Sequence, residues 1–355
     1  MINEITLIEP FLKGNALALI KGGKLQDFFA DFEGSDHSLV GATFVGEVVR
    51  FSKNSNSCFV KLPNNQVGFL RGSKDLKSGD KLLLQSRFFT PKNKALVVTR
   101  DLSFKGRYVI ITPKKKMISF SKNISNKDQR QSLRDLGEKY PNIKNKMYGI
   151  IFRSTCRISS NERIKEDIEK QLARCNKITA VIPNDILFIE SSPNALQNAF
   201  QEWQILENQD PKQERHCFDN FSIWEQLLSF RESSVQLPSG GSISIEPTQA
   251  LVAIDVNTGS DTSLAAGLKA NIEAMNEIPR QLRIRGLGGK IVVEMGPLSK
   301  IHRIKIESTL KKNVSLYSDK IRIAGWTPLG NLELEKSRDR RPIGETQFSQ
   351  IEKII

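Results

Sequence analysis

Apolar and polar positions alternate through the first hundred residues, and glycines interrupt the alternation at short intervals. Ala16–Ile20 and Leu25–Ala30 flank Gly22 and Gly23, which predicts a β-hairpin over 15–31. Five more short runs follow: Thr43–Val49, Ser57–Leu62, Val67–Leu70, Lys81–Gln85 and Ala95–Thr99. Beyond them the period changes. Ile164, Ile168 and Leu172 recur at helical spacing, predicting a helix over 161–174, and a second helix is expected over 194–206. Ile186–Glu190 reads as a strand and the polar stretch 207–220 as a loop.

The C-terminal third carries two apolar runs, Leu251–Ile254 and Ile291–Val293. Both read as strands buried on two faces, because β-branched residues crowd them. Between them Leu268, Ile272, Met275 and Leu282 mark one helix face, which Pro279 is expected to kink or divide. Gly286–Gly289 reads as a turn rather than a phosphate loop, since it precedes a strand and lacks Gly-Lys-Ser/Thr. A basic helix over 302–312 and a strand over 320–323 complete the pattern. Five short strands with glycine turns in about sixty residues predict a small closed barrel of the OB type over 41–101. The whole reads as a multidomain α/β (α+β) chain, and 355 residues suffice for two or three cores.

Charge adds a partner. The 53 Lys and Arg against 39 Asp and Glu leave +14, which favours a polyanion, nucleic acid before membrane. The segment 105–146 holds much of this excess and reads largely as a solvated face. No apolar run is long enough to span a membrane and no signal peptide is evident, so a cytoplasmic protein is expected. Cys58, Cys156, Cys175 and Cys217 lack metal-ligand spacing and read as buried thiols; no zinc is expected. The three histidines, His37, His216 and His302, have no evident catalytic partners.

Candidate chemistry gathers between Leu237 and Glu294. Each apolar run delivers one carboxylate near its C-terminal end, Asp255 and Glu294, and burying such acids is costly unless something neutralises them. A divalent cation shared by two strand ends would do so and would create a hydrolytic centre. A lone strand-end acid is more often a turn cap. Asn257, two residues past Asp255, points to the same side of an extended chain. From pattern alone Phe59 and Phe69 read as core, and Arg153-Ser154 as an ordinary strand-end turn, although guanidinium and hydroxyl groups suit a phosphate.

The ordered motifs Leu237-Pro238-Ser239-Gly240-Gly241-Ser242-Ile243, Ala253-Ile254-Asp255-Val256-Asn257, Asn271-Ile272-Glu273-Ala274 and Glu277 through Gly289 closely resemble the ribonuclease E/G family. The resemblance covers nearly the whole chain. It implies an RNase H-like subdomain (1–38 and 176–232) interrupted by an OB-fold RNA-binding module (39–102) and a 5′-sensor region (103–175), then a DNase I-like catalytic subdomain (233–345). It further implies a Mg²⁺-dependent endoribonuclease (Mn²⁺ possible) that cuts single-stranded RNA to 5′-phosphate and 3′-hydroxyl ends. On that resemblance Asp255 and Glu294 hold the metal and Asn257 assists at the phosphate or the water. Phe59, Phe69 and Lys94 bind RNA, and Arg153 and Ser154 sense the 5′-monophosphate.

Three departures from the family pattern stand out. Glu294 occupies the place of an Asp, and Met295-Gly296-Pro297 lacks the acid usual there. Glu335 and Lys336 replace a Ser/Thr-Arg pair. No Cys-Pro-x-Cys zinc-link follows, so a monomer or a zinc-free dimer is expected. The altered carboxylate pair keeps a second hypothesis open, an RNA-binding protein with a weakened or inactive centre. A DNA-directed nuclease is a third.

Overall fold

A computed structural model describes residues 4–34, 39–53, 55–91, 94–203, 212–213, 216–316 and 320–354. The chain divides into two compact units, one of 1–38, 194–196 and 205–355, the other of 39–193 and 197–204.

The inserted unit begins with a closed barrel. Thr43–Phe51 pairs with both Ser57–Lys61 and Lys81–Ser86; Ser57–Lys61 continues to Val67–Arg71, which runs parallel to Leu96–Thr99, and Lys81–Ser86 closes the ring. All five expected strands are present within a residue or two of their predicted ends. Alternation fills the interior with Phe44, Val48, Cys58, Val60, Leu70, Leu84 and Val98. Leu187–Glu190 adds to the barrel antiparallel to Thr43–Phe51. This pairing keeps the chain in the inserted unit as far as Pro193.

The same unit holds a second sheet, of Ile118–Phe120, Gly149–Phe152, Val109–Thr112 and Phe104–Lys105 in that order. The helix Asn161–Thr179, started by the Ser160 side chain, lays Ile164, Ile168, Leu172, Cys175 and Ile178 into its core. Asp167 on that helix accepts from the Tyr108 and Val109 N–H groups (2.7 and 3.1 Å), and burial raises its carboxyl above the usual range. The basic residues expected to form a solvated face over 105–146 do so: Lys114–Lys116, Lys122, Lys127, Lys139, Lys144 and Lys146 are exposed, while the helix Lys127–Glu138 in the same segment buries Leu133 and Leu136.

In the other unit, Glu4–Phe11, Gly14–Lys21 and Lys24–Ala30 form an antiparallel meander, with Lys212–Gln213 parallel at its edge. Phe11 and Phe28 pack on Trp224 of the helix Ile223–Ser229. Phe348 and Ile351, from the unanticipated helix Glu345–Glu352, join that core. Half of the expected loop over 207–220 lies outside the described residues, as does His37, and within the described half Lys212–Gln213 is a strand instead.

A six-stranded sheet completes this unit: Ser234–Gln236, Ser242–Pro247, Val252–Asn257, Gly289–Glu294, Leu332–Lys336 and Ile321–Trp326, in that order. Its one parallel pair, Val252–Asn257 with Gly289–Glu294, is joined by the helix Leu264–Ile284 as a βαβ unit. That helix runs unbroken through Pro279, so the expected division does not occur. Pro279 is buried in the helix, whose neighbours on the same face, Met275, Ile278 and Leu282, hold it in the core. The two apolar runs are also buried on one face only. Val252, Ile254, Val256, Ile291 and Val293 point at the helix, while Ala253, Asp255, Asn257, Lys290 and Glu294 face solvent.

Candidate active site

Asp255 and Glu294 are direct Cα partners across the parallel pair. Neighbouring strands lie about 4.8 Å apart and partners project to the same face, so the two carboxylates stand side by side. Both are exposed. The burial cost invoked from the sequence therefore does not apply; their adjacency is what calls for a cation, because like charges on opposed strand positions repel. The Asn257 amide donates to Asp255 Oδ2 at 2.7 Å, holding one carboxylate in orientation. Among the described residues no group of three or more His, Cys, Asp or Glu is placed to hold a metal. The donor set at this position is thus two carboxylates on an open face. It fits Mg²⁺ or Mn²⁺, hard cations that Mg²⁺-type sites bind through one or two carboxylates plus water, and does not fit zinc, which prefers nitrogen and sulfur donors.

The Leu237–Ser242 motif is a turn folded against the end of the Asp255 strand. Leu237 N–H donates to the Gly241 carbonyl (2.8 Å) and Gly240 N–H to that of Leu237 (3.0 Å). Gly240 has φ +91°, the left-handed region open to glycine, and a Cβ on Gly241 would collide with the Asn257 carbonyl. Glu273 on the long helix takes both the N–H and the hydroxyl of Ser239 (2.9 and 2.7 Å). Sequence reasoning quoted Glu273 only as part of a motif; the signal was a carboxylate in the helix that follows a Ser-Gly-Gly turn. Gly241→Ala is expected to push the turn off Asn257 and cost about 1–3 kcal/mol, the range for overpacking. A urea titration showing no shift in midpoint would refute this.

On the barrel, Phe59 and Phe69 are register partners with ring centroids 5.6 Å apart and planes at 63°. The Arg50 guanidinium lies 4.6 Å over Phe59, and Val97, exposed, pairs with Phe69. The core assignment from pattern alone fails here: both rings are half-buried and face outward, opposite the interior Cys58, Val60 and Leu70. Lys94 is exposed in the loop before Leu96–Thr99.

Arg153 follows the Gly149–Phe152 strand and Ser154 opens the short turn Ser154–Arg157. Arg153 Nη1 donates to the carbonyls of Gly106 (2.6 Å), Arg107 (3.1 Å) and Gln201 (2.7 Å). Burial pulls its guanidinium below the ordinary arginine range, while Glu202 and Asp167 nearby oppose the shift. One edge of the fork is thus committed to backbone. Thr155 Oγ1 donates to the Arg107 carbonyl at 2.7 Å, fixing the same turn. The four cysteines are buried and free; burial pushes the Cys156 and Cys175 thiols up to about 12, which leaves them unreactive.

One unit thus holds a closed OB-like barrel and the other a sheet-borne carboxylate pair. A model of the Ribonuclease E/G family matches residues 103–203 and 195–339, more than half of the chain, and the chain belongs to that family. Ribonuclease E of Nostoc sp. is 28% identical over 87% of this chain and 52% of its own length. Ribonuclease E of Escherichia coli is 26% identical over 93% of this chain and 36% of its own length. Ribonuclease G of Salmonella typhimurium is 22% identical over 92% of this chain and 78% of its own length. The chain spans about half the length of the Nostoc relative. Among the described residues no helix is long and apolar enough to cross a membrane.

Proposed function

We propose that this chain is an endoribonuclease that hydrolyses single-stranded RNA at Asp255 and Glu294. The observation that carries the proposal is the register pairing of those two carboxylates on the open face of one sheet. Their oxygens would hold Mg²⁺, with Mn²⁺ as a substitute. When bound, such an ion acidifies water and neutralises charge at the phosphodiester, leaving 5′-phosphate and 3′-hydroxyl ends. Asn257 keeps Asp255 aligned through its amide and has a carbonyl and a second N–H left for the water or the phosphate. Phe59 and Phe69 form a stacking platform for unpaired bases, and Lys94 supplies charge beside it. Arg153 and Ser154 are proposed to take the 5′-monophosphate with the part of the Arg153 fork not given to Gly106, Arg107 and Gln201.

In this reading the meander is the RNase H-like part and the six-stranded sheet the DNase I-like catalytic part. Four free cysteines suit a reducing compartment, so a cytoplasmic setting belongs to the proposal, as does a monomer or a zinc-free dimer. One observation favours the second reading, RNA binding with a weakened centre: a Glu at 294, with Met295 to Pro297 offering no further acid.

The test is cleavage of a 5′-monophosphorylated, AU-rich single strand with Mg²⁺, Mn²⁺ or EDTA, beside a 5′-hydroxyl RNA and matched DNA. Internal cuts that require the metal and spare DNA are expected, faster on the monophosphate. Tight RNA binding with no cuts at any metal concentration would overturn the enzyme reading. Phe59→Ala is expected to weaken RNA binding by about 1–3 kcal/mol, the value of one base–aromatic stack. Fluorescence anisotropy with affinity unchanged at fixed salt would remove Phe59 from the RNA surface.

A further inference from the structure

We propose that Asn271 is a positioning residue for the carboxylate pair, setting the separation of Asp255 and Glu294 through the backbone of Gly296. The inference rests on the catalytic reading above.

Asn271 lies on the long helix and is fully buried. Polar side chains reach such positions only when their hydrogen bonds are met. Its Nδ2 donates to the Gly296 carbonyl (3.1 Å), and its Oδ1 accepts from the Gly296 N–H (3.0 Å). The side-chain amide thus pairs with Gly296 as a neighbouring strand would, two residues past Glu294. Gly296 in turn lies against the other strand's exit: a Cβ there would meet Thr258 Cγ2 at 3.2 Å and the Val256 carbonyl at 3.3 Å. Gly267, one turn earlier on the helix, is the only residue size that lets the Pro297 carbonyl approach as it does. The chain leaving Glu294 is therefore pinned between the helix and the segment that carries Asp255 and Asn257. The ladder stops at the Asp255–Glu294 pair, so beyond it Asn271 replaces the missing backbone partner. A ligand pair held this way keeps its spacing in the absence of an ion.

Groups that orient metal ligands typically change metal affinity or activity 10- to 100-fold when removed. The experiment compares wild type, Asn271→Ala, Asn271→Ser and Asp255→Asn. Mn²⁺ binding without RNA is read by electron paramagnetic resonance, kcat and KM by RNA cleavage, and folding by thermal melting. Folded Asn271→Ala is expected to bind Mn²⁺ about 10- to 100-fold more weakly, with kcat reduced at sub-saturating Mg²⁺ and KM for RNA within about threefold. Asn271→Ser, which can restore one of the two bonds, should fall between Ala and wild type. Wild-type Mn²⁺ affinity in both folded variants overturns the assignment, whatever happens to kcat. Loss of the melting transition in both also overturns it and leaves Asn271 a core residue. If the variants lose Mn²⁺ affinity but wild type cuts no RNA, the positioning role stands and the endonuclease reading falls. A wild type that binds no Mn²⁺ overturns both.

Discussion

Asp255→Asn should leave a folded protein that binds RNA as before and cuts it slower by about 10²–10³-fold or more, the scale for losing one electrostatic contact at a catalytic centre. The substitution keeps the volume and the extended backbone, and Asp255 is exposed, so the sheet has no packing reason to respond. What changes is charge. An amide facing Glu294 leaves one anionic oxygen donor group where there were two, and the Asn257 amide loses its anionic acceptor. RNA affinity resides on the barrel in this reading and is a separate quantity, measured by anisotropy in EDTA. Single-turnover rates within threefold of wild type would place the chemistry elsewhere; a parallel collapse of affinity would mean that the carboxylate sheet is itself the principal RNA surface.

Asp27→Ala is expected to destabilise the unit formed by the meander and the six-stranded sheet by about 3–5 kcal/mol, the cost of stripping one partner from a buried ion pair. Asp27 lies in the Lys24–Ala30 strand with 3% of its side chain exposed. Both its oxygens are taken by Arg340, at 2.5 and 2.9 Å, and the Phe28 N–H adds a third contact at 2.8 Å. Arg283 of the long helix approaches to 3.9 Å, and the Arg340 guanidinium rests 4.2 Å from the Phe29 ring centre. Alanine would leave two arginines in place without their shared counter-charge. Against a total of about 5–15 kcal/mol such a loss is large. Urea unfolding followed by tryptophan fluorescence reads it through Trp224, and a change below about 1 kcal/mol would show the pair to be replaceable by water.

Much of the fold was legible because the barrel and the hairpin obey a period of two with glycine at the turns, a pattern local enough to survive without tertiary context. The carboxylates were legible as acids ending apolar runs, but their partnership was not, since it depends on a register set across a crossover helix. Ala253 explains the misjudged burial. It counts as apolar, so Val-Ala-Ile looked two-faced, whereas alanine is small enough to stand at the solvent position of an alternating strand. Of the layer between 104 and 152 only the strand Gly149–Phe152 was legible, as an apolar run before Arg153; the other strands are two to four residues long, too short to display a period. Pro279 misled for the opposite reason: the local rule was right about propensity, and packing overrode it. Asn271 was quoted only as the first residue of a motif; its role was not legible, being a polar residue within an apolar helix face whose partner is backbone.

The inserted unit opens with the strand that its late strand comes back to meet, Thr43 beside Glu190. Its residues are thus all made once the ribosome has passed 204, while the host's first three strands still await Trp224, Phe348 and Ile351 for their core. Synthesis from the N-terminus therefore completes the inserted unit before its host, and the earliest-made segment is the last to be sheltered. A nascent chain of this protein depends on whatever shields Leu7, Phe11 and Phe28 during that interval, and termination before Trp224 strands those residues without most of their cover.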